Sequence, residues 1–300
     1  MSRTATITRA LLKLLLALAA IFASVQSFRL LLLPAIQAAF HPGEVVTSAL
    51  RRSGIFLCVL LSYWTYAKFL EKRAATELRL APMAIAAGAL SGAALILIAM
   101  LPLYLFGVYE VVAYRGWHGG LFGIASVILI AAFLEEVGYR GLLFGSLEQA
   151  FGTTPALWLQ ALIFSAMHIA NHPGAAPSAV VLTVVAGTLI GAFWTYIFIH
   201  TRNLWVVTAN HAAWNYAIIL TGMPLSGIDA WRAAAPIESS YHGPFWLSGG
   251  VFGPEDSIVT IALVLACVAL QIYWSRSTNA AAPSGAGNGF DRDNAIPEKT

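Results

Sequence analysis

Residues 121–146 read LFGIASVILIAAFLEEVGYRGLLFGS. By length and apolarity this stretch is a helix that crosses a bilayer, which needs about 20 predominantly apolar residues. Yet it carries Glu135, Glu136 and Arg140 close together, and one charge at the centre of such a helix costs on the order of 2.5–3.5 kcal/mol on insertion scales. The stretch therefore points both to the fold class and to the place where function is to be sought.

The remainder of the chain agrees with a membrane fold. Of its 300 residues, 59% are hydrophobic and 10% are charged, against roughly 25% charged in an ordinary soluble domain, so a soluble single-core protein is excluded. Eight apolar spans are read at 10–28, 54–70, 82–109, 121–146, 155–172, 178–200, 203–221 and 257–274. They are expected to be helices, because only helices and closed barrels satisfy backbone groups in lipid and no alternating ten-residue pattern suggests a barrel. The expectation is an all-α, polytopic transmembrane bundle of about eight spans. Residues 1–120 supply N-terminal transmembrane helices and 121–221 a core with polar residues. Residues 222–256 form an extracytoplasmic loop rich in Gly, Pro and aromatics, 257–274 the last transmembrane helix, and 275–300 a disordered tail without an apolar face.

Orientation follows from the basic residues in short connections. Arg3, Arg9, Lys13, Lys68, Lys72, Arg73, Arg79, Arg202 and Arg276 fall on one side, and Arg51, Arg52, Arg115 and Arg232 on the other. Both termini are thus expected to be cytoplasmic, in a bacterial inner membrane. The N-terminus resembles a signal peptide, but its apolar stretch resumes after Arg29, which favours an uncleaved first span. The net charge of +3 is scattered over span ends, so nucleic acid is not an expected partner. Cys58 and Cys267 sit in apolar segments and read as buried packing residues rather than a disulfide. Trp117, Trp205, Trp246 and Trp274 read as an interfacial belt.

Two further spans contain polar residues that apolar helices should avoid: Phe164-Ser165-Ala166-Met167-His168 and His211-Ala212-Ala213-Trp214-Asn215. Glu136 and Arg140, four apart, share a helix face and can neutralise each other as a structural ion pair. Glu135 points about 100° away, which leaves its carboxylate free to take a proton from water. His211 and Asn215 also share a face. At about 1.5 Å per residue from the span ends, Glu135 lies roughly 16 Å deep, His168 roughly 20 Å, His211 roughly 12 Å and Asn215 roughly 18 Å. Each residue alone reads as an interhelical hydrogen-bonding group; at one depth on three helices, together they read as a site. His172 is a further metal-ligand candidate, but it directly precedes Pro173 and reads as a helix end.

At these residues the sequence resembles the CPBP family, also called Abi: type II CAAX prenyl proteases and bacteriocin-processing intramembrane proteases. The family pattern of Glu-Glu-x-x-x-Arg on one membrane helix, Phe-x-x-x-His on the next and His-x-x-x-Asn two helices later is matched by Glu135, Glu136 and Arg140, by Phe164 and His168, and by His211 and Asn215. Tyr139 stands where the family often has Phe. The resemblance covers about residues 121–221 and implies an endopeptidase acting on a membrane-associated protein or peptide. In it Glu135 is the general base assisted by His168, while His211 and Asn215 stabilise the oxyanion. A competing mechanism holds Zn²⁺ on Glu135, His168 and His211. The sequence lacks His-Glu-x-x-His, which favours metal-free glutamate chemistry with no cofactor. Two other classes remain open: a proton- or ion-coupled transporter, since intramembrane ionisable residues mark ion paths, and a non-catalytic bacteriocin-immunity protein.

Overall fold

Without water to receive them, backbone N–H and C=O groups in lipid must bond within the segment, and the apolar runs accordingly fold as helices. A computed structural model of the chain describes residues 3–171 and 174–281; His172 and the end of the expected tail lie outside the described residues. The first helix, α1 (Arg3–Ser27), runs through a π turn at Phe28–Leu32 into α2 (Leu33–Phe40), and α3 (Glu44–Thr65) returns and closes in a π turn at Tyr66–Leu70. Then follow α4 (Pro82–Leu105), the strand β1 (Tyr109–Tyr114), α5 (Gly120–Glu136), a π-helical segment at Val137–Phe144, α6 (Gly145–Phe151), α7 (Thr153–His168), α8 (Pro177–Thr201) and α9 (Leu204–Leu220). The chain ends in β2 (Ile237–Tyr241), the short α10 (Phe245–Ser248) and α11 (Ile258–Ala281).

The fold is the all-helical bundle expected, with differences in detail. Six segments among the described residues are long and apolar enough to cross a membrane. The stretches read as the fifth and seventh spans are shorter, 16 residues in α7 and 17 in α9. The first span is longer than read, because the π turn absorbs Arg29 without ending the helix. Arg51 and Arg52 lie within α3 rather than before it, and α11 continues to Ala281, past the boundary read at 274. Two strands, unanticipated because their partners lie far apart in sequence, pair antiparallel with an irregularity between Val111 and Ala113. They tie the loop after α4 to the loop after α9.

Cys58 and Cys267 are free and half-buried rather than buried. Trp117, Trp246 and Trp274 are exposed, whereas Trp205 is half-buried. Its ring stacks on Phe133 at 4.9 Å, and its Nε1 donates to Leu78 O at 2.8 Å.

Two seams of small residues bring the helices around the polar spans into close contact. Gly88 and Gly92 of α4 face Val206 and Asn210 of α9, and a Cβ added at Gly92 would lie 2.1 Å from the Asn210 carbonyl oxygen. Gly187 and Gly191 of α8 face Ser165 and Ala161 of α7, with an added Cβ 2.7 Å from Ser165 Oγ and 3.1 Å from Ala161 Cα. Small residues four apart let membrane helices approach backbone to backbone, where dispersion acts without a hydrophobic drive between them.

Overpacking a tight contact costs typically about 1–3 kcal/mol, and here the obstacle is backbone. Gly92→Ala is therefore expected to lower the thermal midpoint of the detergent-solubilised protein clearly. Gly145→Ala, where nothing lies within 4 Å, leaves the midpoint unchanged or slightly raised.

Candidate active site

Helix α5 ends in adjacent glutamates whose side chains diverge around the helix. Glu136 turns inward, fully buried, and its Oε1 accepts from Arg140 Nη1 at 3.0 Å and from His211 Nδ1 at 2.8 Å. Arg140 is also fully buried and donates from Nη2 to the carbonyl of Gly191 at 3.0 Å. Its guanidinium carbon lies 4.9 Å from the Phe164 ring centroid and 5.6 Å from that of Trp194. With the Tyr139 ring at 5.9 Å as well, the buried cation faces one carboxylate, one carbonyl and three aromatic rings, each attractive in a low-dielectric interior. Arg140 belongs to the π-helical turn, a local widening that recurs at functional sites.

The contact from His211 Nδ1 to a carboxylate oxygen requires a proton on Nδ1, since a carboxylate only accepts. Its Nε2 is thereby directed at Glu135, 3.9 Å from Oε2. One face of the imidazole is covered by Trp194, with centroids 3.7 Å apart and planes 23° from parallel. Glu135 is about one-third exposed, at 34%, and its Oε2 is buried without a hydrogen-bond partner.

His168 is the last residue of α7, at the end of the helix rather than inside a longer span. Its Nδ1 lies 2.8 Å from the carbonyl oxygen of Phe164, an acceptor, so Nδ1 carries the proton and the neutral ring keeps a lone pair on Nε2. Asn215 lies one turn beyond His211 on α9, with Oδ1 buried and unpartnered.

Glu135, His168, His211 and Asn215 line one cavity of about 70 Å³, a space for several waters by the measure in which one needs about 10–15 Å³. Glu136 and Arg140 do not line it; they lie behind His211. The far wall comes from the loop after α9, through Ser226, Trp231, Phe252, Glu255 and Asp256. None of these was anticipated. The available signal was an acidic pair, Glu255-Asp256, placed directly before an apolar span.

Burial pushes the Asp256 carboxyl up to about 7, with Glu255 adding to the rise and the hydrogen bond with Thr183 opposing it. Thr183 Oγ1 donates to Asp256 Oδ2 and also lies 3.1 Å from the Ala179 carbonyl oxygen.

Among the described residues no three His, Cys, Asp or Glu side chains are grouped as a metal ion requires.

A helical membrane bundle enclosing a carboxylate, two imidazoles and a carboxamide around one cavity defines an integral, multi-pass membrane protein with a polar site among its helices. Residues 116–217, about a third of the chain, match the family model described as Type II CAAX prenyl endopeptidase Rce1-like. This segment is the part that carries the three motifs, and its match supports the CPBP family of CAAX-type membrane proteases. No curated protein matches the chain.

Removing one partner of a buried ion pair costs about 3–5 kcal/mol, so Arg140→Ala is expected to lower the thermal midpoint strongly. Glu148→Ala, which removes the half-exposed bridge to Arg202, has a small effect. A second expectation concerns pH. Asp256 holds its proton in the folded state up to about 7, against 3.8 for the unperturbed group, so the folded protein binds more protons between those values. Stability therefore falls as pH rises through that window and levels off above it. Asp256→Asn removes this component of the slope, as thermal unfolding across the pH range measures.

Proposed function

We propose that the protein hydrolyses a peptide bond of a membrane-associated protein or peptide, in CAAX-type processing or peptide maturation, with water activated by Glu135. The observation supporting this reading is that the four motif side chains from α5, α7 and α9 line a single cavity with room for several waters. The substrate reaches it from the bilayer, and the chain resides in a bacterial inner membrane with both termini cytoplasmic.

Glu135 takes a proton from a water in the cavity, and the oxygen of that water attacks the scissile carbonyl carbon. His168 orients the water by accepting its second hydrogen at Nε2. The resulting oxyanion accepts from Asn215 Nδ2 and from His211 Nε2. In this role both nitrogens of His211 carry protons, Nδ1 donating to Glu136 and Nε2 to the oxyanion. Collapse breaks the C–N bond, and Glu135 returns its proton to the departing amine. Glu136 and Arg140 do not touch the reacting atoms; they hold His211. No step uses a metal ion.

A positioned general base contributes typically about 10²–10⁴ in rate, and removal of one oxyanion donor costs about 10²–10³ in kcat. With purified protein in proteoliposomes and a panel of membrane-tethered peptides, Glu135→Gln is expected to abolish cleavage within detection. His168→Ala and His211→Ala cause severe losses, and Asn215→Ala a loss of about 10²–10³. Wild-type activity retained in Glu135→Gln, His168→Ala and His211→Ala sinks the reading. Substrate-dependent uptake without cleavage supports the transporter instead.

A further inference from the structure

The hydrogen bond from His211 Nδ1 to Glu136 fixes one atom of the imidazole. A single contact is a pivot, and it leaves the tilt of the ring, and so the direction of Nε2, undetermined. The second constraint comes from outside the three motifs. Trp194 of α8 stacks on the ring at 3.7 Å and is itself almost fully buried, at 1% exposure. An indole has one hydrogen-bond donor, and that of Trp194 donates to Asn210 Oδ1 at 3.0 Å. Asn210 in turn donates from Nδ2 to the Gly88 carbonyl and to Ser91 Oγ, both at 3.1 Å. These contacts orient the amide, because a flipped Asn210 would set its NH₂ against the indole N–H and its oxygen against the Gly88 carbonyl.

The chain of contacts runs from α4, which contributes no residue to the cavity, through Asn210 and Trp194 to His211. At its origin α4 lies against α9 through Gly88 and Gly92, the second of which packs on the Asn210 backbone itself. Asn210 and His211 are neighbours on α9, so one helix presents the imidazole and, from the adjacent position, the group that orients the surface on which it stacks.

We propose that Trp194 and Asn210 are positioning residues that set the plane of the His211 imidazole and aim its Nε2 into the cavity. The proposal rests on the role given to His211 above. A misplacement of about 1 Å can cost about 10²-fold in rate, and the loss falls on the chemical step rather than on substrate binding.

The test compares Trp194→Phe, Trp194→Leu and Asn210→Ala, each in the wild-type and His211→Ala backgrounds, with kcat and KM measured separately and thermal melts recorded. Trp194→Leu and Asn210→Ala are expected to lower kcat about 10- to 100-fold with KM little changed. Trp194→Phe, which keeps an aromatic face, retains most of the activity. In the His211→Ala background the same substitutions remove nothing further, as expected for residues acting through one group. A second readout needs no substrate. The His211 ring protons, assigned by their loss in His211→Ala, are shifted upfield by the indole in NMR spectra. That shift is lost in Trp194→Leu and diminished in Asn210→Ala. Equal losses from Trp194→Phe and Trp194→Leu, additive losses in the His211→Ala background, or an unshifted ring overturn the positioning role and leave the proteolytic reading standing. Full activity of His211→Ala overturns the positioning role together with the oxyanion role given to His211.

Discussion

A single buried oxygen, Glu136 Oε1, accepts from both Arg140 and His211, and the rest of the site depends on that shared acceptor. Inside a membrane bundle a guanidinium cannot be left to water, and a carboxylate that met only Arg140 would make a closed pair with no chemical consequence. By also accepting from His211, Glu136 joins the structural charge to the proposed chemistry, since it holds Nδ1 and so fixes which ring nitrogen faces the cavity. Breaking the pair is therefore expected to disturb more than stability. It removes the pivot of an imidazole on a different helix.

The adjacent glutamates divide two tasks that one residue cannot perform together. A carboxylate shut away from solvent and held at one oxygen by two buried donors is rigid and unavailable, whereas a base must reach the cavity. Successive positions on an α-helix diverge by about 100°, so Glu136 reaches the interior while Glu135 lines the cavity. Both glycine seams serve the same arrangement. The α7–α8 seam sets the helix bearing His168 against the one bearing Trp194, and the α4–α9 seam fixes the helix bearing His211 and Asn215. Side chains thicker than hydrogen at these seams would push apart the walls that the polar groups must span.

Much of this was legible in the sequence because it is local. Apolar runs declare helices in lipid, a charge inside such a run demands a partner, and spacings of four place Glu136 with Arg140 and His211 with Asn215 on common faces. What was not legible depends on contacts between distant segments. Glu255 and Asp256 reach the cavity only because the loop after α9 folds back over it, and no local pattern records that return. The β1–β2 pairing joins residues more than a hundred positions apart and is interrupted by an irregularity, so neither strand shows a clean alternation. Trp205 reads as an interfacial aromatic by position alone, yet it fills a place between Phe133 and the turn at Leu78. The seams were the exception: Gly88-x-x-x-Gly92 and Gly187-x-x-x-Gly191 carry a recognisable spacing in the sequence, though not the identity of the facing helices.

The π-helical segment at Val137–Phe144 accounts for how one continuous helix serves both a site and a scaffold. Before it, α5 packs along α9 and must hold the two glutamates in phase with His211; after it, α6 packs against α1 and α7. Those partners stand in different directions, and an uninterrupted α-helix would propagate one phase through both. A wider turn accommodates additional residues per turn, and each added residue rotates the following face by about 100°, so the two halves are decoupled without breaking the backbone hydrogen bonding that lipid requires. Gly138 and Gly141 fall within this turn. At Gly141 an added Cβ would lie 2.8 Å from the Tyr63 ring of α3, so the widened turn also passes close against its neighbour. The phase shift, the buried Arg140 and the tight passage against Tyr63 therefore coincide in one eight-residue segment, where the charged pair fixes the helix at the point at which its geometry is least regular.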